Sequence, residues 1–218
     1  MVNRVQVVGR GRVGHAFAAR LRERGVLVDD AAGVVVLCVP DRAIANAAAQ
    51  VPRGPWVCHV SGGTPLSHLE PHERRFGLHP LQTFTKDRGA EQIDGAWGGV
   101  TAVTPEGREV GRALAGLLGL RAFDLADDRR AVYHAGAVMA SNYMVTLYRA
   151  AARALATAGV PAEALIPLMT RTIENGFDLT GPLARGDLAT VEAHLDALGR
   201  DLPDLEAMYR ALAEVTES

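Results

Sequence analysis

An apolar run, Val5-Gln6-Val7-Val8, passes directly into Gly9-Arg10-Gly11-Arg12-Val13-Gly14 and then into a helical pattern. A strand that turns through G-x-G-x-x-G into a helix opens a βαβ unit, so this segment demands a largely parallel sheet with helices on its faces. Each glycine has its own expected task. Gly9 permits the tight turn, Gly11 lets the main chain approach a pyrophosphate, and Gly14 lets the helix lie close on the strand. Arg10 and Arg12 would add positive charge to that anion. A glycine-rich turn that binds nothing is the competing reading, and the order strand, glycines, helix argues against it.

A complete dinucleotide fold continues with a second parallel strand that ends in an acidic residue about 20 positions beyond the glycines. In this chain the helical pattern over 13–24 stops at Gly25, and Val26-Leu27-Val28-Asp29-Asp30 leads within a few residues into the apolar run 34–39. Adjacent parallel strands need a crossover of a dozen or more residues, which Asp30 to Gly33 cannot supply. The usual strand, helix, strand segment has therefore been cut out, and residues 26–28 need not exist as a parallel strand at all. Asp29 is either the ribose ligand or an ordinary turn carboxylate.

The 218 residues are 48% hydrophobic with a net charge of -2, a balance that suits a globular chain of one or two domains and offers nothing to nucleic acid. With no apolar stretch of about 18 residues and no charged-then-apolar leader, no membrane span or signal peptide is expected, and the cytoplasm is the expected location. Cys38 and Cys58 lie within apolar runs and read as buried free thiols. Lys86 is the only lysine.

Short apolar runs at 5–8, 34–39, 56–60, 76–78, 99–103 and 121–125 alternate with helical patterns at 42–50, 65–70 and 105–118. From Ala126 onward no strand-like run recurs. A long alanine-rich helix is expected over 128–158, followed by helices at 162–175, 188–198 and 203–216, with Thr180-Gly181-Pro182 as a break. The expected fold class is α/β: a Rossmann-like parallel sheet, shortened after its first βα unit, over residues 1–125, then an all-α C-terminal domain over 126–218 for substrate and dimer contacts. The small and apolar surface of the long helix exceeds what three short helices can cover, which predicts a homodimer through that domain.

Four segments combine polar residues with turn chemistry, three of them at strand exits, where open α/β sheets place ligands. Pro40 fixes the backbone beyond the second long strand, and Asp41 is set either to cap the next helix or to touch a ligand. Ser61-Gly62-Gly63 follows the third; a nucleophile elbow would need glycine where His59 stands. His79, held extended by Pro80, can exchange a proton near neutral pH. On the long helix, His134, Val138, Ser141 and Asn142 share one arc, facing either a partner helix or a ligand. Arg185 and Asp187 form a turn in which Asp187 can cap and Arg185 is free for an anion. The histidines show no metal-ligand spacing, Pro71 separating His68 from His72, so no metal is expected.

Taken together, Gly9 to Gly14, Val39-Pro40-Asp41, Ser61-Gly62, His79-Pro80-Leu81-Gln82-Thr83-Phe84, Tyr133-His134 with Ser141-Asn142-Tyr143, and Thr180-Gly181-Pro182 with Arg185-Gly186-Asp187 resemble a Rossmann-like family whose helical half is catalogued as a domain of unknown function. That family is similar to the 6-phosphogluconate dehydrogenase-like superfamily, which includes ketopantoate reductase, pyrroline-5-carboxylate reductase and prephenate dehydrogenase. The resemblance implies NADP or NAD in a cleft between the domains, a small-molecule substrate, and a helical half that dimerises. Hydroxyacid dehydrogenases and ketopantoate reductase of that superfamily carry a lysine one turn before the helix asparagine. Asn142 matches the asparagine, but Val138 stands in the lysine's place, leaving His134 or His79 as the acid. The expected function is reduction of a small carbonyl or imine substrate, with Ser61, His79, His134 and Asn142 facing it and Gly9, Arg10, Gly11, Arg12, Gly14, Pro40 and Asp41 holding the cofactor. A non-catalytic ligand-binding protein with a degenerate dinucleotide site is the alternative.

Overall fold

The computed structural model describes residues 2–217, and the chain divides into two compact units, one ending at Met139 and the other beginning at Ala140. The first unit is built on a seven-stranded sheet: β1 (Arg4–Val8), β2 (Leu27–Val28), β3 (Val34–Leu37), β4 (Trp56–His59), β5 (Arg75–Leu81), β6 (Trp97–Ala102) and β7 (Arg121–Asp124), in the spatial order β2-β1-β3-β4-β5-β6-β7. The first five strands are parallel, while β6 runs antiparallel to β5 and carries β7 parallel to itself. The reversal at β6 follows from its connection, in which the only helical element is one 3-10 turn, Ala90–Ile93, held to the first helix by Arg20, which donates to the Ala90 carbonyl at 2.9 Å.

β3 is apolar throughout because both its faces are covered. Val34 and Val36 join Phe17, Leu21, Phe76 and Leu114 on one side, and Val35 and Leu37 join Ile44, Val57, Leu66 and Leu69 on the other. The covering helices are α1 (Arg12–Glu23), α2 (Ile44–Ala49) and α3 (Pro105–Leu118). α3 has the bounds its sequence predicts, since Thr104 accepts from Gly107 N at 3.1 Å, Pro105 sets the first turn, and Gly119 leaves it at φ +83°.

The strand that need not have existed is present. β2 pairs parallel with the outer side of β1, Val28 opposite Val5, while Val34 of β3 faces Val5 from the other side. Because β2 is two residues long, its end lies level with the start of β3. The chain has only to step sideways past β1 by about 10 Å, which residues 29–33 span easily at ~3.4 Å each. The deletion thus removes a helix and a strand but leaves β2 as the sheet edge.

The helices of the remainder are α4 (Arg130–Val138), α5 (Met144–Thr157), α6 (Leu165–Glu174), α7 (Gly181–Ala184), α8 (Leu188–Asp201) and α9 (Pro203–Glu217). The single helix expected over 128–158 is thus α4, a π-helical stretch Met139–Tyr143, and α5. α4 counts with the first unit, whose limit falls at Met139 rather than at 125. The presumed break at Thr180-Gly181-Pro182 starts the short α7, and Asp187 caps α8 by accepting from Thr190 N at 3.2 Å. Arg153 pairs with both oxygens of Asp204 across α5 and α9, at 2.7 and 2.9 Å.

The second unit buries few apolar residues, Leu165, Val191, Leu205 and Ala213. Tyr143, Ile166, Leu168, Phe177, Leu179 and Leu188 are exposed, and a cavity of about 650 Å³ opens among α5, α8 and α9. No helix among the described residues is long and apolar enough to cross a membrane.

Candidate functional site

In the first unit, the exits of β1, β3, β4 and β5 and one face of α4 surround a cavity of about 410 Å³. It is lined by Gly11 to Val13, Val39-Pro40-Asp41, Val60-Ser61-Gly62, His79 and His134. Of the residues expected around a substrate, Ser61, His79 and His134 are therefore brought together. Asn142 lies in the second unit, exposed on the π-helical stretch, where its side-chain oxygen accepts from Ser141 Oγ at 2.9 Å.

α4 is fastened at its start. The Asp127 carboxylate accepts from Leu66 N at 3.0 Å, and the Arg130 guanidinium, 1% exposed, runs beneath the strand ends to donate to Thr101 Oγ1 at 2.7 Å and to the Ser61 carbonyl. Gly77 of β5 gives it room, since a Cβ there would sit 2.9 Å from Nη1. Tyr133 and His134 follow at i+3 and i+4, so the buried arginine aims the same helix face at the cavity. Tyr133 Oη lies 2.7 Å from His79 Nδ1.

The loop after β4 meets them as glycine for a steric reason. A Cβ on Gly62 would stand 2.4 Å from His134 Nδ1 and 2.9 Å from His79 Nε2, so only glycine lets both imidazoles close over it. Their rings meet edge-on with centroids 5.7 Å apart. Ser61 is held by its neighbours: its Oγ lies 2.9 Å from Asp41 Oδ2 and 2.8 Å from Thr64 Oγ1, and accepts from Thr64 N at 3.0 Å. A carboxylate can only accept, so Ser61 gives its proton to Asp41 and receives one from Thr64. Of the two roles open to Asp41, capping is not the one it takes; the 3-10 turn Asp41–Ala43 has no side-chain cap, and its carboxylate serves Ser61 instead.

Burial lowers the His79 pKa to about 4, helped by the adjoining His134 and Arg130 against the opposing pull of Asp41. His59, fully buried at the end of β4 with neither ring nitrogen hydrogen-bonded among the described residues, is lowered to about 3 by burial and then by Arg130. Burial raises both thiols, Cys38 to about 12, so neither is a nucleophile at neutral pH.

A second cavity, of about 360 Å³, adjoins the glycine turn and is lined by Gly9, Arg10, Gly14, His15, Arg22, Asp29 and Asp30 among others. Gly9 and Gly14 are explained by the chain itself: their Cβ atoms would lie 2.3 Å from the Cys38 carbonyl oxygen and 2.1 Å from that of Gly9. Gly11 is not, for it has an ordinary φ of -72° and no atom within 4 Å of where a Cβ would stand. Among the described residues α1 has no side-chain cap and no acidic residue in its first turn, which leaves its first amides without a side-chain acceptor. These features fit a bound pyrophosphate. Among the described residues the Arg10 side chain makes no ion pair or hydrogen bond, whereas Arg12 donates to the Phe84 carbonyl at 3.2 Å. Asp29 is engaged by Arg4 at 3.4 Å and by Ala31 N at 3.0 Å, which is the turn-carboxylate arrangement, and Asp30 accepts from Gln6 at 2.9 Å.

Arg130 was not singled out by sequence, where an arginine at a helix start looks like a solvated charge. The signal available was Gly77 within an apolar strand together with the i, i+3, i+4 spacing of Arg130, Tyr133 and His134. No group of three or more metal-ligating side chains occurs among the described residues.

The fold is Rossmann-like, an α/β sheet unit followed by a helical C-terminal unit. Residues 96–216 match the model of a domain of unknown function, DUF2520, and the chain belongs to that family. No curated protein matches it in sequence. Its fold is similar to that of a Bacteroides fragilis protein provisionally described as an NADP oxidoreductase (21% identical, covering 99% of this chain and 98% of that one, TM-score 0.82). It is also similar to the Thermotoga maritima protein TM1727 (22% identical, 97% and 96% covered, TM-score 0.78) and to an imine reductase of Streptomyces aurantiacus (16% identical, 98% and 93% covered, TM-score 0.68).

The two depressed histidines couple stability to pH. Between pH 6.5 and about 4 the unfolded chain binds more protons at His79 than the folded one does, and His59 extends the same sign to about 3. Their contribution is complete above pH 6.5 and is lost as pH falls. Urea unfolding at pH 7, 6 and 5 should show stability declining by up to about 1.4 kcal/mol per pH unit for each histidine, and His79→Gln should flatten the slope. A slope unchanged in that variant contradicts the buried neutral His79.

Proposed function

We propose that this chain is an NAD(P)-dependent oxidoreductase that reduces a small carbonyl or imine compound. The observation that carries the reading is the open position at Gly11, beside an uncapped helix N-terminus, in the wall of the same cavity that holds His79 and His134. A bound nicotinamide would supply a hydride. The chain supplies the rest: α1 amides and Arg10 hold the pyrophosphate, neutral His79 donates a hydrogen bond to the substrate's oxygen or nitrogen, and His134 delivers the proton as charge develops there. Ser61, fixed by Asp41, holds the Gly62 turn against both rings.

The engaged state of Asp29 and Asp30 favours a second reading, a binding protein whose adenosine half has lost its free ribose carboxylate. Fluorescence titration with NADH and NADPH, followed by turnover with small ketones and imines, separates the two. Gly11→Val should fold normally yet bind neither nucleotide, while Gly14→Val, which drives a side chain into the Gly9 carbonyl, should not fold. Equal affinity of the Gly11→Val and wild-type chains rejects the phosphate site; a wild-type chain that binds neither nucleotide selects the second reading.

The assignment of the acid is tested separately. His134→Gln keeps a hydrogen-bonding side chain but cannot transfer a proton, and it should lower kcat roughly 100-fold with nucleotide affinity unchanged. A larger loss in His79→Gln than in His134→Gln would move the acid to the His79-Pro80 segment.

For the second unit we propose a homodimer. A helical unit that buries so few apolar residues while exposing Ile166, Leu168, Phe177 and Leu188 needs cover, and a second copy offers the same apolar faces in return. Sedimentation at micromolar concentration should give twice the chain mass of 23.1 kDa. A monomer throughout that range refutes it.

A further inference from the structure

Tyr133 has one hydrogen-bond partner among the described residues, and that partner is a ring nitrogen. Its hydroxyl oxygen is 2.7 Å from His79 Nδ1, its ring meets the His79 ring edge-on at 5.4 Å, and Phe123 packs on it at 5.8 Å. The phenol proton has no other acceptor there. A His79 protonated on Nδ1 would donate to the phenol oxygen and turn the hydroxyl proton away from its one acceptor among the described residues, whereas an accepting Nδ1 keeps that proton paired and turns the Nε2–H to the open cavity. The other nitrogen, Nε2, lies on the cavity side beside Gly62.

We propose that Tyr133 is a positioning residue that donates its hydroxyl proton to His79 Nδ1 and thereby fixes the neutral imidazole as the Nε2–H tautomer, so that His79 offers the cavity a hydrogen-bond donor and not a base. The surroundings of both rings agree with this. The groups that face His79 are His134 and Tyr133 from α4, Arg130 from beneath, Asp41 beyond β3, and His59 on the neighbouring strand. Only Asp41 favours a charged ring, and its carboxylate is occupied by Ser61. Burial raises the Tyr133 pKa to about 12 and so keeps the phenol proton in place, against the lowering pull of Arg130.

The consequence for chemistry rests on the reductase reading; the tautomer does not. A fixed N–H donor can bind the substrate atom that gains negative charge, and it does so without titrating in the range where an acid must work. Two adjacent histidines then divide the labour, His79 polarising and His134 transferring the proton.

Imidazole nitrogen NMR of the full chain without nucleotide tests the assignment, with the His79 signals identified by their loss in His79→Gln. At pH 7 His79 should show a pyridine-like Nδ1 and a pyrrole-like Nε2, unchanged on lowering the pH to 5.5. In Tyr133→Phe, which keeps the packing on Phe123, both nitrogens should move toward a mixture of tautomers. A wild-type Nδ1–H tautomer or an imidazolium at pH 7 overturns the proposal, and so does an unchanged spectrum in Tyr133→Phe. The wild-type spectrum decides the tautomer even if the variant does not fold. A chain that shows the Nε2–H form but binds no nucleotide refutes the reductase reading and leaves this assignment standing.

Discussion

The buried guanidinium of Arg130 is the constraint on which the site depends. It joins three parts of the first unit that are remote in sequence: the start of α4, the loop after β4 through the Ser61 carbonyl, and β6 through Thr101. A charge taken so far from water is costly unless its donors are used, and among the described residues no carboxylate forms an ion pair with it. It is held by two oxygens and by the electrostatic pull of Asp127, while burial draws its pKa downward. The same charge makes protonation of His59 and His79 less favourable, so one side chain both shapes the cavity and sets the ionisation of its walls.

The glycines fall into two kinds, and the difference separates architecture from ligand. Gly9, Gly14, Gly62 and Gly77 each have protein atoms where a side chain would stand. Gly11 has none and no strained backbone. Packing therefore accounts for most of the glycine pattern around the site but not for Gly11, at the start of α1.

Much of the first unit could be read from residue pattern because local chemistry and tertiary packing agree there. Thr104-Pro105 and Gly119 fix α3, the unbroken apolar run of β3 reports cover on both faces, and His79-Pro80 sits on a strand whose exit opens to the cavity. What could not be read depended on distant partners. Asp41 looks like a cap until Ser61 is brought beside it. Residues 26–28 look too close to β3 to pair in parallel until β1 is placed between them. The π-helical stretch Met139–Tyr143 leaves no mark on an alanine-rich helical pattern, because one extra residue in a turn changes no residue type.

The shortness of β2 also governs how the sheet ends. A sheet edge invites another chain when it exposes a long row of unpaired amides and carbonyls, and this edge ends after two residues, flanked by Arg4, Asp29 and Asp30. At the opposite edge β7 runs only from Arg121 to Asp124, with the Asp124 carboxylate taken by Arg112. Among the described residues the sheet thus has no edge long or plain enough to nucleate strand addition, and short, charged edges at both ends guard it against aggregation.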